Sequence, residues 1–111
     1  MLNNGLRRPN FGLGTCHMHD PQIIKKAVSE LGYRLYDCAS YYRNEETVGI
    51  AINELINVDK VVKREDLFII SKCWFDELED VEAACKRSLE KLGVEYLDLY
   101  LVHWPFCMKE I

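Results

Sequence analysis

Residues 32–49 read GYRLYDCASYYRNEETVG. The stretch opens on Gly32, a residue suited to ending a helix in a left-handed turn. Residues 34–39 then read as a buried strand. After a short polar loop, Asn44 can cap a helix whose apolar stripe is Val48, Ala51, Ile52, Leu55 and Ile56. One helix end, one strand, one loop and one helix start therefore fall within a single short segment.

The same alternation extends outward in both directions. Upstream, residues 11–15 read as a first strand that ends in the turn Gly12-Leu13-Gly14. Asp20 supplies an N-cap and Pro21 the first helical position. Ile23, Ile24, Ala27, Val28 and Leu31 fall on one face of that helix. Downstream, residues 67–71 are a nearly continuous apolar run, as a strand covered on both faces requires. Val81, Ala84, Cys85, Ser88, Leu89 and Leu92 mark a third helix, which Gly93 stops. Residues 96–102 give a fourth strand, ended by His103-Trp104-Pro105, since proline cannot donate to a ladder. Strands alternating with helices imply a parallel sheet with right-handed crossovers. A doubly wound sheet and a (β/α)8 barrel both fit this order. The glycine turn lacks the third glycine of the dinucleotide fingerprint, because position 17 is His, so a Rossmann reading is weak.

Composition bounds the rest. A chain of 111 residues carries one domain at most. Its net charge is −4 with basic residues dispersed, which argues against a nucleic-acid partner. No apolar run approaches the roughly 20 residues of a membrane helix, and the first ten residues lack the apolar core of a signal peptide. The five cysteines, Cys16, Cys38, Cys73, Cys85 and Cys107, are widely spaced and contain no C-x-x-C pair. That pattern points to free thiols in a reducing compartment, hence the cytoplasm by elimination. Cys16-His17-Met18-His19 gathers soft ligands, but no further ligand spacing supports a metal, and a polar loop is the ordinary reading.

Chemistry-bearing residues gather at strand ends. Asp37, Lys72 and His103 close the second, third and fourth strands, and Tyr42 lies in the loop leaving the same end. Each alone is an ordinary polar strand terminus. In a parallel β/α sheet, however, those ends lie side by side on the face where barrels build active sites.

These segments resemble the aldo-keto reductase family. Residues 32–49 are similar to its first signature, FIISKCW (residues 68–74) to the segment bearing its lysine, and YLDLYLVHWP (residues 96–105) to the segment bearing its histidine. LNNG and GLGT resemble its opening hairpin and first strand. The resemblance implies a TIM-type (β/α)8 barrel of which this chain, residues 1–111, is the first half: four parallel strands, three helices and a short N-terminal hairpin. It implies that Tyr42 donates a proton and Lys72 is its charged neighbour. It makes Asp37 the lysine's partner and His103 the group that orients a carbonyl substrate. A free phenol titrates near pH 10, and a nearby ammonium favours phenolate. The resemblance further places Gly14, Thr15, Cys16 and Asp37 against NADPH, and Trp74 and Trp104 in the substrate pocket, although a pair of core aromatics at strand ends is an equal reading of the two tryptophans. The partner substrate would be a small aldehyde or ketone. Many relatives carry an aromatic residue where this chain has Cys16.

A closed barrel of this kind takes about 250 residues. Two functional readings result: an oxidoreductase active only when its barrel is completed, or a non-catalytic half-barrel module that binds a partner. On either reading, inward side chains such as Phe68, Ile70, Leu99 and Leu101 are expected to lack their cover, favouring self-association or a second protein. NADPH is expected to bind the chain alone weakly or not at all.

Overall fold

The computed structural model describes residues 1–106, so Cys107 lies outside the described residues. Four strands alternate with three α-helices: β1 (Leu13–Gly14), α1 (Pro21–Ser29), β2 (Leu35–Asp37), α2 (Glu45–Asn53), β3 (Phe68–Cys73), α3 (Val81–Leu92) and β4 (Leu99–Val102). The strands form one parallel sheet in the order β1-β2-β3-β4. This is the strand order of a barrel segment, in which each strand lies beside the next one in the chain. At residues 2–6 the backbone reverses, with Leu2 N–H donating to Leu6 O and Gly5 N–H to Leu2 O.

Strands β1, β2 and β4 are shorter than the runs that announce them, whereas β3 extends two residues past its run, to Cys73. Tyr36 and Asp37 are the register partners of Leu13 and Gly14, so the short β2 limits β1. Phe11 stays half exposed, its ring edge-on to Tyr33. Before β4, pairing passes through a side chain: Asp98 N–H donates to Ile69 O, and Ile69 N–H donates to Asp98 Oδ2.

Helix ends obey local capping. Asp20 Oδ1 accepts from Gln22 N–H at 2.9 Å, with Pro21 at the first position of α1. Helix α1 ends at Ser29, so Leu31 lies beyond it and is exposed; Ile23 is exposed too, one position off the buried stripe of Ile24, Ala27 and Val28. Gly32 is left-handed (φ 76°), within the turn after the helix. Asn44 precedes α2 but does not cap it. Its Nδ2 donates instead to Thr15 O at 2.6 Å and Met18 O at 2.8 Å, holding the loop that leaves β1. Helix α2 runs on through a π-helical turn, Glu54–Val58, where Lys25 Nζ binds both Glu54 and Asp59 at 2.7 Å. Asp80 caps α3, and left-handed Gly93 closes it.

The sheet has two unlike faces. Tyr36, Cys38 and Ile69 face the helices and are fully buried with Ile24, Val48, Ile52, Leu55 and Leu92. Burial lifts the Cys38 thiol to about 12 and raises that of Cys73 as well, so both are neutral at physiological pH. On the other face, Leu35, Phe68 and Ile70 form a small cluster against Leu2 and Leu99. Phe68 and Ile70 do point inward, but they are buried rather than bare, because the N-terminal turn lays Leu2 beside them. Exposure falls instead on β4 and the residues just after it, at Leu101, Val102, Trp104 and Phe106. No helix among the described residues is long and apolar enough to cross a membrane.

A carboxylate is buried among the helices. Glu45 is 3% exposed; Ser71 Oγ donates to its Oε2 at 2.8 Å and Ser88 Oγ to its Oε1 at 3.1 Å, joining α2, β3 and α3. Burial raises its pKa despite those hydrogen bonds. A carboxyl whose pKa is raised in the folded state adds most stability below its unfolded value of about 4.3, and that contribution is lost as pH rises through the folded value. Glu45→Gln should therefore raise the urea midpoint at pH 7, with the gain vanishing as pH falls below about 4.3. Glu45→Ala should cost about 1–3 kcal/mol by orphaning the two seryl hydroxyls. Urea titrations across this pH range check both; a Gln variant weaker than the parent at pH 7 would contradict the account.

Candidate active site

Parallel pairing sets Asp37 beside Ile70 and Lys72 beside Leu101 in register, so successive strand ends step round one rim. Period-2 alternation puts Leu35 and Asp37, then Phe68, Ile70 and Lys72, then Leu99, Leu101 and His103, on the face away from the helices. The apolar members make the lower layer and the polar members the upper one. Chain order thus converts three distant residues into neighbours.

Lys72 is the hub. Its ammonium donates to Asp37 Oδ1 at 2.6 Å, to Cys38 O at 3.0 Å and, over a longer 3.4 Å, to the Tyr42 hydroxyl oxygen. Its side chain is only 12% exposed, whereas that of Asp37 is 43% exposed. The ion pair therefore lies at a boundary, sheltered on the lysine side and open to solvent on the aspartate side. Because the Tyr42 oxygen accepts from Lys72, its own proton is directed elsewhere and is available to an acceptor outside the cluster.

Tyr42 is presented by a 3-10 turn, Ser40–Tyr42, closed by Arg43 in a left-handed conformation (φ 54°). The His103 ring lies 5.6 Å from that of Tyr42 and 5.1 Å from that of Trp74, edge-on to both. Its Nδ1 is buried with no hydrogen-bond partner among the described residues. Burial, and then the Lys72 charge, lower the basicity of His103 against the opposing pull of Asp37. A neutral imidazole near a carbonyl oxygen can donate one hydrogen bond without contributing a charge.

The remaining expected residues separate into two groups. Gly14 is exposed at the rim, and a methyl added there would meet no atom within 4 Å. Thr15 is fully buried, and its polar groups are engaged within the fold: its hydroxyl and N–H both donate to Asp37 O, and its carbonyl accepts from Asn44 and Met18. It shapes the rim and offers no free polar group. Cys16 is an exposed thiol at the start of the loop after β1. Trp74 and Trp104 lie 4.9 Å apart and join the ring cluster. No group of three or more His, Cys, Asp or Glu among the described residues could hold a metal ion.

Sequence reasoning missed several neighbours. Tyr41 stacks on Trp74 at 3.9 Å, and Phe75 and Phe106 extend the aromatic surface past Trp104. Their signal was adjacency, since each stands within two residues of a residue already singled out. Glu77 had no such signal. It lines a cleft of about 610 Å³ behind the Tyr42 turn, together with Ser40, Tyr41, Asn44 and Trp74.

Comparison with known proteins assigns a family. The model of the aldo/keto reductase family matches residues 14–111. The chain belongs to the aldo/keto reductase family. It is 47% identical over 109 residues to the Gallus gallus aldo-keto reductase family 1 member A1, covering 94% of this chain and 33% of that protein. With the Rattus norvegicus counterpart it shares 45% identity, covering 98% of this chain and 35% of the relative. The chain thus spans about a third of the length of these relatives. Among solved structures, the aldose reductase of Schistosoma japonicum superposes with a TM-score of 0.87 at 45% identity, covering 98% of this chain and 37% of that one. The Bombyx mori aldo-keto reductase, solved in complex with NADP, superposes with a TM-score of 0.85 at 39% identity, over 97% and 38% of the two chains. Its fold is of the TIM-barrel type.

If His103 is held in this way, its NMR titration midpoint should lie below the value of about 6.5 for a free imidazole. Lys72→Met should move it upward by removing the nearby positive charge. A midpoint unchanged by that substitution would show that Lys72 does not face the ring.

Proposed function

We propose that Asp37, Lys72, Tyr42 and His103 are the proton-transfer site of an NADPH-dependent carbonyl reductase that converts an aldehyde or ketone to an alcohol and works when the later part of a barrel surrounds it. The observation that carries this reading is the placement of one ammonium between the carboxylate of Asp37 and the hydroxyl of Tyr42, with an imidazole ring beside the phenol. Gly14, bare at the rim, and the exposed Asp37 carboxylate suit close approach by a flat ring and its amide, and so fit the nicotinamide end of NADPH. When bound, that cofactor supplies a hydride. His103 and Tyr42 would orient the carbonyl oxygen by hydrogen bonding. As negative charge develops on that oxygen, Tyr42 releases its proton to it. The Lys72 ammonium stabilises the charge left on the phenol oxygen, and Asp37 keeps the ammonium in place. Trp74, Trp104 and Tyr41 exclude water from one side of this reaction volume. The exposed and buried free thiols fit a reducing compartment, and we place the protein in the cytosol on that ground.

A second reading has its own support. Leu101, Val102, Trp104 and Phe106 are all more than a third exposed, along and just beyond the outermost strand. That apolar border favours a second copy or another protein, as a half-barrel module would require.

The first reading is tested in a chimera carrying the portion of the Gallus gallus relative beyond the matched segment. Tyr42→Phe should lower kcat about 10²–10⁴-fold while the far-UV spectrum stays unchanged. The chain alone should quench its tryptophan fluorescence with NADPH only well above micromolar concentration. A Tyr42→Phe chimera as active as its parent would remove the proton-donor role. Tight NADPH binding by the chain alone would show that the first four strands suffice for the cofactor.

A further inference from the structure

The ion pair at the strand ends leaves one question open: what holds the Tyr42 turn itself. Ser40–Tyr42 is a single 3-10 turn beyond β2. Tyr41 is half exposed and so lends the turn little burial, and the Lys72 contact to Tyr42 is long, at 3.4 Å. A turn held by these contacts alone would move relative to Lys72 and His103.

A second cross-link lies on the other side of the turn. Ser40 Oγ donates to Glu77 Oε2 at 2.6 Å, and Trp74 N–H donates to the same oxygen at 2.9 Å. The other carboxylate oxygen accepts from Arg87 of α3 at 3.3 Å. One oxygen therefore joins the turn that carries Tyr42 to the start of the loop that carries Trp74. The Tyr41–Trp74 stack, at 3.9 Å and 13° between planes, closes above the same junction. Ser40 is two residues from Tyr42, and Arg43 N–H bonds back to Ser40 O, so fixing Ser40 fixes the turn.

We propose that Glu77 is a positioning residue of this site: its carboxylate clamps the Tyr42 turn to the Trp74 loop, and so sets where the phenol and the aromatic wall stand against His103. The functional consequence rests on the reductase reading above; the clamp itself does not. Burial works against the Glu77 charge, but the hydrogen bonds from Ser40 and the Trp74 N–H outweigh it and keep its pKa below the usual carboxylate range. The clamp is therefore ionised at neutral pH. Arg87, mostly in solvent, steadies it without burying it. Charge-assisted hydrogen bonds of this kind are short and directional, which suits them to holding geometry.

The test uses the 111-residue chain and two readouts that report on the site without turnover. One is the His103 ring-proton resonances, shifted by ring currents from Tyr41, Tyr42 and Trp74. The other is the near-ultraviolet circular dichroism of the Tyr41–Trp74 stack. Glu77→Ala and Ser40→Ala should each move the His103 resonances and weaken the aromatic band, with far-ultraviolet spectra unchanged. Glu77→Gln should restore both, because an amide oxygen accepts the same two hydrogen bonds. The Ser40→Ala/Glu77→Ala double variant should be no worse than Glu77→Ala, as for partners in one link. Should Glu77→Ala fail to fold, Ser40→Ala and Glu77→Gln still decide the matter. Unmoved His103 resonances in Ser40→Ala, or a Gln variant as disturbed as the Ala variant, would overturn the proposal. Absence of reductase activity would count against the functional reading and leave these outcomes to judge the clamp.

Discussion

The Lys72 ammonium sits where β2 and β3 end together, and most of the site is built from the groups it must touch. A lysine at a strand end ordinarily extends into water. Here it is largely covered, so its charge needs compensation. Asp37, one strand away, supplies that compensation at 2.6 Å, and the Cys38 carbonyl accepts a second hydrogen bond at 3.0 Å. Only parallel pairing in this register puts an aspartate and a lysine from separate strands on the same rim of the sheet. The third contact, to Tyr42, then ties a loop residue to the same charge.

The helix-facing side of the sheet makes this rim rigid enough to matter. Buried Tyr36, Ile69 and Cys38 lock β2 and β3 against α1 and α2. At Gly49 the α2 backbone passes so near the end of α3 that an added methyl would lie 2.7 Å from the Lys91 carbonyl oxygen. Glu45 then joins α2 to β3 and α3 through two serines, at the cost of a buried carboxylate. The opposite face is thinner. Its lower layer is closed by Leu2, and its upper layer is the polar cluster. Among the strand residues, the exposed large apolar side chains are Leu101 and Val102 of β4, and the chain covers 37% of the Schistosoma japonicum structure on which it superposes.

Much of this was legible in the sequence, for identifiable reasons. Alternating apolar runs and capped amphipathic stretches carry strong local signals, so the strand–helix order could be read, as could the strand-end positions of Asp37, Lys72 and His103. The misplaced residues depended on neighbours. Ile23 and Leu31 belong to an apolar stripe by spacing, but α1 ends at Ser29, before Leu31, and buries Ile24 rather than Ile23. Asn44 has the right type and place for a cap, yet two carbonyls of the β1 loop are better partners for its amide. Thr15 turns its hydroxyl to the Asp37 carbonyl of β2, a partner that only the fold supplies. Glu77 was invisible because an acid in a loop has no periodicity, and only the fold brings it to the Tyr42 turn.

A double-mutant cycle between Asp37 and Lys72 tests the central claim most directly, with Asp37→Asn, Lys72→Met and the pair compared by urea denaturation at neutral pH. If the ammonium organises the rim, each single change leaves its partner's charge uncompensated. The double variant should then be less damaged than the two single effects summed, by a coupling of about 0.5–3 kcal/mol. Effects that simply add, to within about 0.3 kcal/mol, would mean that Lys72 and Asp37 are merely adjacent, and that something else assembles the site.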